Sequence, residues 1–169
     1  MSTNQHNICH SLYIKASANV VWQHITEVDI ASFPHSPVLY LLGIPKPLHA
    51  EIPTPGVGGC RIAHFGNGKK FLQQITAWEQ PSHYAFTFQA EKGFRVGFFF
   101  DLATGPFRMC SGEYVITPTQ EGVDLKLCSN YALYGFIGFL IKIPVWLVLF
   151  WFQKYLLRGL KSNAERDNA

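Results

Sequence analysis

Apolar and polar residues alternate along most of this chain, and the alternation ends near residue 131. Residues 8–15 (ICHSLYIK) change side at every step, the period of a half-buried strand. From Ser17 to Glu27 the period lengthens. Val21, Trp22 and Ile25 recur at helical spacing behind a cap at Ser17 or Asn19, which predicts a short helix. A second helical piece is expected between Ile30 and Leu42, interrupted by Pro34 and Pro37. The Pro45–Pro55 stretch reads as a connector or an edge strand. After the turn Gly56–Gly59 the two-residue period returns in Cys60–Phe65, Lys70–Glu79 and His83–Gln89. It continues in Phe94–Leu102, Phe107–Pro118 and Val123–Tyr131, with turn sequences such as Gly66-Asn-Gly68 and Gly105-Pro106 between strands.

Tyr131 to Leu157 (YALYGFIGFLIKIPVWLVLFWFQKYLL) is apolar almost throughout. About 20 such residues cross a bilayer, so the run reads as a span, as a buried helix, or as a helix touching a membrane through its aromatic end. Two residues favour the buried helix. Lys142 would sit near the middle of a span, where a charge costs about 2.5–3.5 kcal/mol. Pro144 suits the first position of a helix, which has no use for its missing donor. The expected helix runs from about Pro144 to Glu165. Its second half sets Tyr155, Leu156 and Leu160 against Lys154, Arg158 and Lys161, one face packed on a core. Its first half, VWLVLFWF, is apolar all round. The tally predicts an α+β fold: a curved antiparallel sheet of about seven strands wrapped around a long C-terminal helix, with two short helices after the first strand. Residues 1–169 read as a single domain.

Composition sharpens this picture. Hydrophobic residues make up 48% and charged ones 15%, and the 14 Phe, 7 Tyr and 4 Trp are the side chains that line apolar pockets. A net charge of +3, with basic residues scattered, does not argue for nucleic acid. Cys9, Cys60, Cys110 and Cys128 form no CxxC pair and read as reduced. The N-terminal MSTNQHNICHS has no apolar stretch behind a basic start, so the expected location is the cytoplasm, with membrane association left open by the apolar run. The seven histidines form no HxH or HExxH pair, and no P-loop, GxSxG or GxGxxG occurs. No metal, cofactor or catalytic nucleophile is expected.

Strand parity supplies candidate ligand contacts. If Ile75 points inward, so do Phe71, Gln73 and Ala77. Tyr84, Phe86 and Phe88 share one face, as do Gly112, Tyr114 and Ile116, and separately Val96, Phe98 and Phe100. The expected ligand-binding set is Gln73, Ile75, Tyr84, Phe86, Phe88, Phe98, Phe100, Tyr114 and Ile116, with Trp146 from the helix. Phe98-Phe99-Phe100, with Phe94 and Phe107, also reads as an exposed patch beside an entrance at the 102–107 loop. His64, Asp101, Arg95 and Arg108 read either as scattered surface charges, the favoured account, or as a cluster at the cavity mouth that does acid–base work.

Several short motifs occur in a recognisable order. They are Ala18-Asn-Val-Val-Trp22 with Ile25-Thr26 and Asp29, Gly58-Gly59-Cys60-Arg61, and Ile75-Thr-Ala-Trp-Glu-Gln-Pro81. Tyr84-Ala-Phe86, Ile116-Thr-Pro118 with Gly122-Val123, and Leu160-Lys161 with Glu165 complete the series. In this order the chain resembles the START-like superfamily of helix-grip folds, and within it the polyketide cyclase/dehydrase-type group called SRPBCC. The resemblance implies a deep apolar cavity between sheet and C-terminal helix, where members bind lipids, sterols, quinones or polyketides and a minority catalyse cyclisation or dehydration. It carries no catalytic residue over to this chain.

The leading expectation is therefore a non-enzymatic binder or carrier of a hydrophobic small molecule or lipid, with peripheral membrane contact. The alternative is a cyclase or dehydratase in which Tyr114, His64 or Asp101 moves a proton. An interaction module that docks through the apolar C-terminal run is a third reading.

Overall fold

The computed structural model describes residues 3–29, 32–33, 36–97 and 100–168. β1 (Thr3–Ile14) leads into α1 (Ala18–Thr26), α2 (Pro37–Leu41) and β2 (Pro47–Thr54). Then follow β3 (Cys60–Phe65), β4 (Lys70–Glu79), β5 (His83–Thr87) and β6 (Gln89–Ala90). A small hairpin of β7 (Arg95–Val96) and β8 (Phe100–Asp101) precedes β9 (Phe107–Pro118) and β10 (Val123–Tyr134). The chain closes with α3 (Gly135–Leu140) and α4 (Lys142–Asp167). The main sheet is antiparallel in the order β1-β10-β9-β5-β4-β3-β2, with β6 paired to β4. Its two edges are thus the first strand and the proline-flanked β2. This is the expected α+β layout, a sheet gripping a long C-terminal helix.

Local chemistry explains the elements. Ser17 caps α1, its Oγ accepting from the Val20 amide at 3.4 Å, and Val21, Trp22 and Ile25 turn the helix's apolar stripe into the core. Two clusters fill the concave side. One packs α1 and the C-terminal half of α4 against β1, β4, β5, β9 and β10; the other gathers Phe65, Phe71, Phe94, Leu102, Phe107, Tyr131 and Leu149. Gly159 of α4 lies under the Phe33 ring, where an added Cβ would meet ring carbons at 2.3–2.5 Å. Gly159→Ala is therefore expected to lower the thermal midpoint. Overpacking costs about 1–3 kcal/mol, against about 1 kcal/mol that alanine gains over glycine in a helix. A midpoint at or above the parent's would show that Phe33 can step aside.

The structure departs from the sequence expectations in four places. The Phe94–Leu102 segment is not one strand, because Gly97 at φ +59° turns it into the β7–β8 hairpin. Phe94 and Phe107 are buried rather than part of an exposed patch. Residues 98–99, and 30, 31, 34 and 35 of the second helical piece, lie outside the described residues. The apolar run begins as strand, breaks at Gly135 (φ +65°), forms α3, and restarts as α4 with Pro144 in third rather than first position. Last, Cys9 and Cys128 are joined in a disulfide between directly opposed residues of β1 and β10, so two of the four cysteines are not reduced thiols. With that pair oxidised, the cysteines no longer point to a reducing compartment. Among the described residues, no helix is long and apolar enough to cross a membrane.

Candidate functional site

A cavity of about 130 Å³ lies between the concave face of the sheet and α4. Its sheet wall includes Ala63, Phe65, Phe71, Phe86, Phe88 and Leu127, and α4 supplies Val148, Leu149, Phe152, Gln153, Leu156 and Leu160. Gly112 gives the aromatic wall room, since a Cβ there would meet the Phe86 and Phe88 rings at 3.0–3.2 Å. The volume is close to that of a cavity of ~150 Å³ that takes up benzene. It fits one ring, or one end of a longer apolar molecule. A second pocket of about 280 Å³ adjoins it and shares Phe71, Phe88, Leu102 and Met109 as common wall. This pocket lies beside the 102–107 loop expected as an entrance, with Arg108 on its rim.

Polar side chains interrupt the apolar lining, among them His49, Arg61, His64, Gln73, Ser129 and Gln153. Arg61 of β3 is buried, and its Nη1 donates to Oε1 of buried Gln73 on β4 at 2.9 Å. Gln153 of α4, fully buried, donates from Nε2 to the Ile8 carbonyl at 3.1 Å and to Ser129 Oγ at 2.9 Å. Its Oε1 lies 2.6 Å from His10 Nδ1, which must carry the proton because an amide oxygen only accepts. Gln153 therefore ties the helix to β1 and β10 with its polar atoms satisfied. Burial pushes the Tyr84 phenol up to about 12, with the Arg61 charge beside it working the other way. Tyr114 is also raised by burial. Both phenols are neutral near pH 7.

The expected wall residues separate into groups. Gln73, Phe86, Phe88 and Tyr114 line the cavity. Ile75, Tyr84 and Ile116 face the same side but sit in the filled end, where Trp22 and Trp78 pack edge-on against one another and against Tyr84. Sheet curvature gives one face two zones, and α1 plugs one of them. Phe100 is half-buried on the hairpin and does not line the cavity, and Phe98 lies outside the described residues. Trp146 does not line it either. It shares a helical face with Gln153 seven residues on, but it is 44% exposed because the first turns of α4, with Lys142, Ile143 and Pro144, are left uncovered.

Of the four charged candidates for the mouth, Arg95 and Asp101 stand opposite one another on the β7–β8 hairpin, while His64 and Arg108 are engaged elsewhere. His64 lines the cavity, but its Nε2 is paired to Glu51 at 2.6 Å and its ring stacks on His49 at 4.4 Å. Asp101 accepts from the Ala103 and Gly93 amides at 2.8 Å, bonds that hold its carboxyl below the usual range and commit it to the hairpin turn. Arg108 lies over the Tyr134 ring at 5.0 Å. Among the described residues, no group of three or more His, Cys, Asp or Glu could hold a metal ion.

Parity applied to the aromatics missed Arg61 and Gln153. The signal for Arg61 was its position two and four residues before Ala63 and Phe65 on one strand face. For Gln153 it was a lone amide spaced four residues from both Leu149 and Leu157.

No model of a known protein family matches the chain, and neither does any curated protein. Solved structures do resemble it over nearly their whole length. A norcoclaurine synthase from Thalictrum flavum, solved with a transition-state analogue, superposes with a TM-score of 0.59 at 15% identity, covering 100% of this chain and 99% of that one. A protein from Mesorhizobium loti gives 0.64 at 14% identity over 97% and 100%, and one from Thermus thermophilus gives 0.63 at 18% over 97% and 100%. At these identities the likeness shows the fold alone: a curved antiparallel sheet gripping a long C-terminal helix, the architecture these solved structures share with this chain.

Proposed function

We propose that this chain, acting as a single unit, binds one apolar small molecule in the cavity under α4 and exchanges it at a membrane surface. The observation that carries the first half is the cavity itself. It is lined mainly by aromatic and aliphatic side chains, with few polar points, on a fold of which one solved example holds a small molecule. The proposed contacts are Gln73, Phe86, Phe88 and Tyr114 from the sheet and Leu149, Phe152 and Leu156 from α4. The second half rests on the uncovered apolar side chains of α3 and the first turns of α4, beside the end of the cavity where Phe94, Leu102 and Phe107 close the core.

Toluene, neutral and near the size of the cavity, is the test ligand. Carbon-13 methyl resonances of Val148, Leu149 and Leu156 are expected to shift saturably on titration, reporting one site. Ala63→Leu occupies part of the space without removing a contact and is expected to weaken toluene about tenfold, or ~1.4 kcal/mol. Shifts that are absent, or that Ala63→Leu leaves untouched, would place toluene elsewhere and sink the reading.

An enzymatic role of the cyclase or dehydratase type has one observation in its favour: His64 lines the cavity with Glu51 behind it, the arrangement of an oriented acid–base residue. Under that reading a bound ligand is chemically changed, and His64→Gln stops the change while toluene still binds.

A further inference from the structure

Among the described residues, one cation on the cavity wall, Arg61, is paired with no anion. Arg61 is 6% exposed, and a guanidinium keeps its charge at any pH a protein meets. Its one hydrogen bond goes to Gln73, a neutral acceptor. Among the described residues its Nε is buried without a partner, and Nη1 to Gln73 is the hydrogen bond the side chain makes. None of the ion pairs among the described residues includes Arg61. The Phe86 and Tyr84 rings lie 5.5 and 5.9 Å from its Cζ and offer it their electron-rich faces, which softens the burial but supplies no charge. Among the described residues, the other buried side-chain polar atom without a partner is the Tyr84 hydroxyl, on one of those same two rings. The two orphaned atoms thus belong to neighbouring residues, with the Arg61 Cζ 5.9 Å from the centre of the Tyr84 ring.

A buried charge that serves only structure is paired or replaced by an apolar residue, because desolvating it alone is costly. This one is held in place instead. Gln73 occupies Nη1 and fixes the guanidinium plane, which leaves Nε and Nη2, the edge that grips a carboxylate with two parallel hydrogen bonds. Tyr114, on the same wall and neutral, is a further donor.

We propose that the ligand is an amphipathic anion, an apolar body with a single carboxylate, and that Arg61 receives that carboxylate while the aromatic wall takes the rest. The proposal rests on the cavity reading above and names the chemical class that fills it. One uncompensated positive charge matches a singly charged headgroup, and a space of about 130 Å³ favours a carboxylate over a bulkier phosphodiester.

The test compares 1-octanol, sodium octanoate and octyl phosphate on the intact protein, read through the same methyl resonances. Octanoate is expected to bind at least tenfold more tightly than 1-octanol, and more tightly than octyl phosphate. Arg61→Gln is expected to reduce the advantage of octanoate over 1-octanol to within threefold. The comparison of ligands on the parent protein decides the matter even where the variant folds poorly. Octanol binding as tightly as octanoate overturns the proposal while the cavity reading stands, and octyl phosphate binding tightest overturns the choice of carboxylate. If neither toluene nor octanol binds, the cavity reading itself fails and takes this proposal with it.

Discussion

Truncation after Tyr134 is expected to leave a chain with no cooperative unfolding transition. The cut removes α3 and α4, and with them Leu149, Leu157, Leu160 and Ala164, which contribute to both hydrophobic clusters. The three leucines alone bury about 1.5–3 kcal/mol each of apolar stabilisation. Their sum rivals the 5–15 kcal/mol, roughly, by which a whole domain is stable. Loss of Gln153 adds a polar penalty, since the Ile8 carbonyl, Ser129 and His10 would all lose their partner. The helix is thus the inner half of the core rather than a lid on a finished sheet. Tryptophan fluorescence against urea checks this through Trp22 and Trp78, which both versions keep. A sigmoidal transition in the truncated chain would show that α1 and the sheet hold a core of their own.

The strands with clear turn chemistry on both sides were readable from the chain alone. Cys60–Phe65, Lys70–Glu79 and Phe107–Pro118 begin and end as expected, because glycine-rich or proline-containing turns bound alternating runs. Reading failed where the deciding information was not periodic. Gly97 converts an expected strand into a hairpin, and Gly135 divides an apolar run that has no period with which to announce a break. The Cys9–Cys128 pairing is a property of register between residues 119 apart, so no local spacing reveals it.

The cavity wall was partly legible for the same reason. Alternation identifies the inward face, and Gln73, Phe86, Phe88 and Tyr114 are on it. It does not say how far the sheet bends or which stretch of that face α1 fills, so Ile75, Tyr84 and Ile116 were assigned to the wall although they lie in the packed end. Helical phase likewise places Trp146 on the inward side but cannot tell that its turn of α4 is uncovered.

That uncovered turn leads to the second large effect, on membrane partition. Phe136 is 75% exposed, Ile143 71% and Phe139 69%, and Ile137, Leu140, Trp146, Leu147 and Trp151 are also exposed. A water-facing surface of this kind marks a contact. The charge around it supports the membrane exchange proposed above: from Gly135 to Ala164 the chain carries Lys142, Lys154, Arg158 and Lys161 and no Asp or Glu. Aromatic and aliphatic side chains flanked by basic ones are the composition of a helix that lies in the headgroup region of an anionic bilayer, with lysine stems reaching back to the phosphates. Ile141 and Val145 connect this face to the cluster holding Phe94, Leu102 and Phe107, so the bilayer would meet the molecule at the end of the cavity that the β7–β8 hairpin closes. The protein is expected to sediment with vesicles containing phosphatidylglycerol, more weakly with pure phosphatidylcholine, and less as salt rises. Replacing Phe136, Phe139 and Ile143 together by serine removes about 1–2 kcal/mol of apolar transfer each, so partition should fall about 100-fold or more, while the toluene shifts stay unchanged because none of the three lines the cavity. Equal sedimentation of the triple variant would exclude this face as the membrane contact. Failure of the parent to sediment, together with a stable dimer in solution that the triple variant no longer forms, would assign the face to a second copy of the chain.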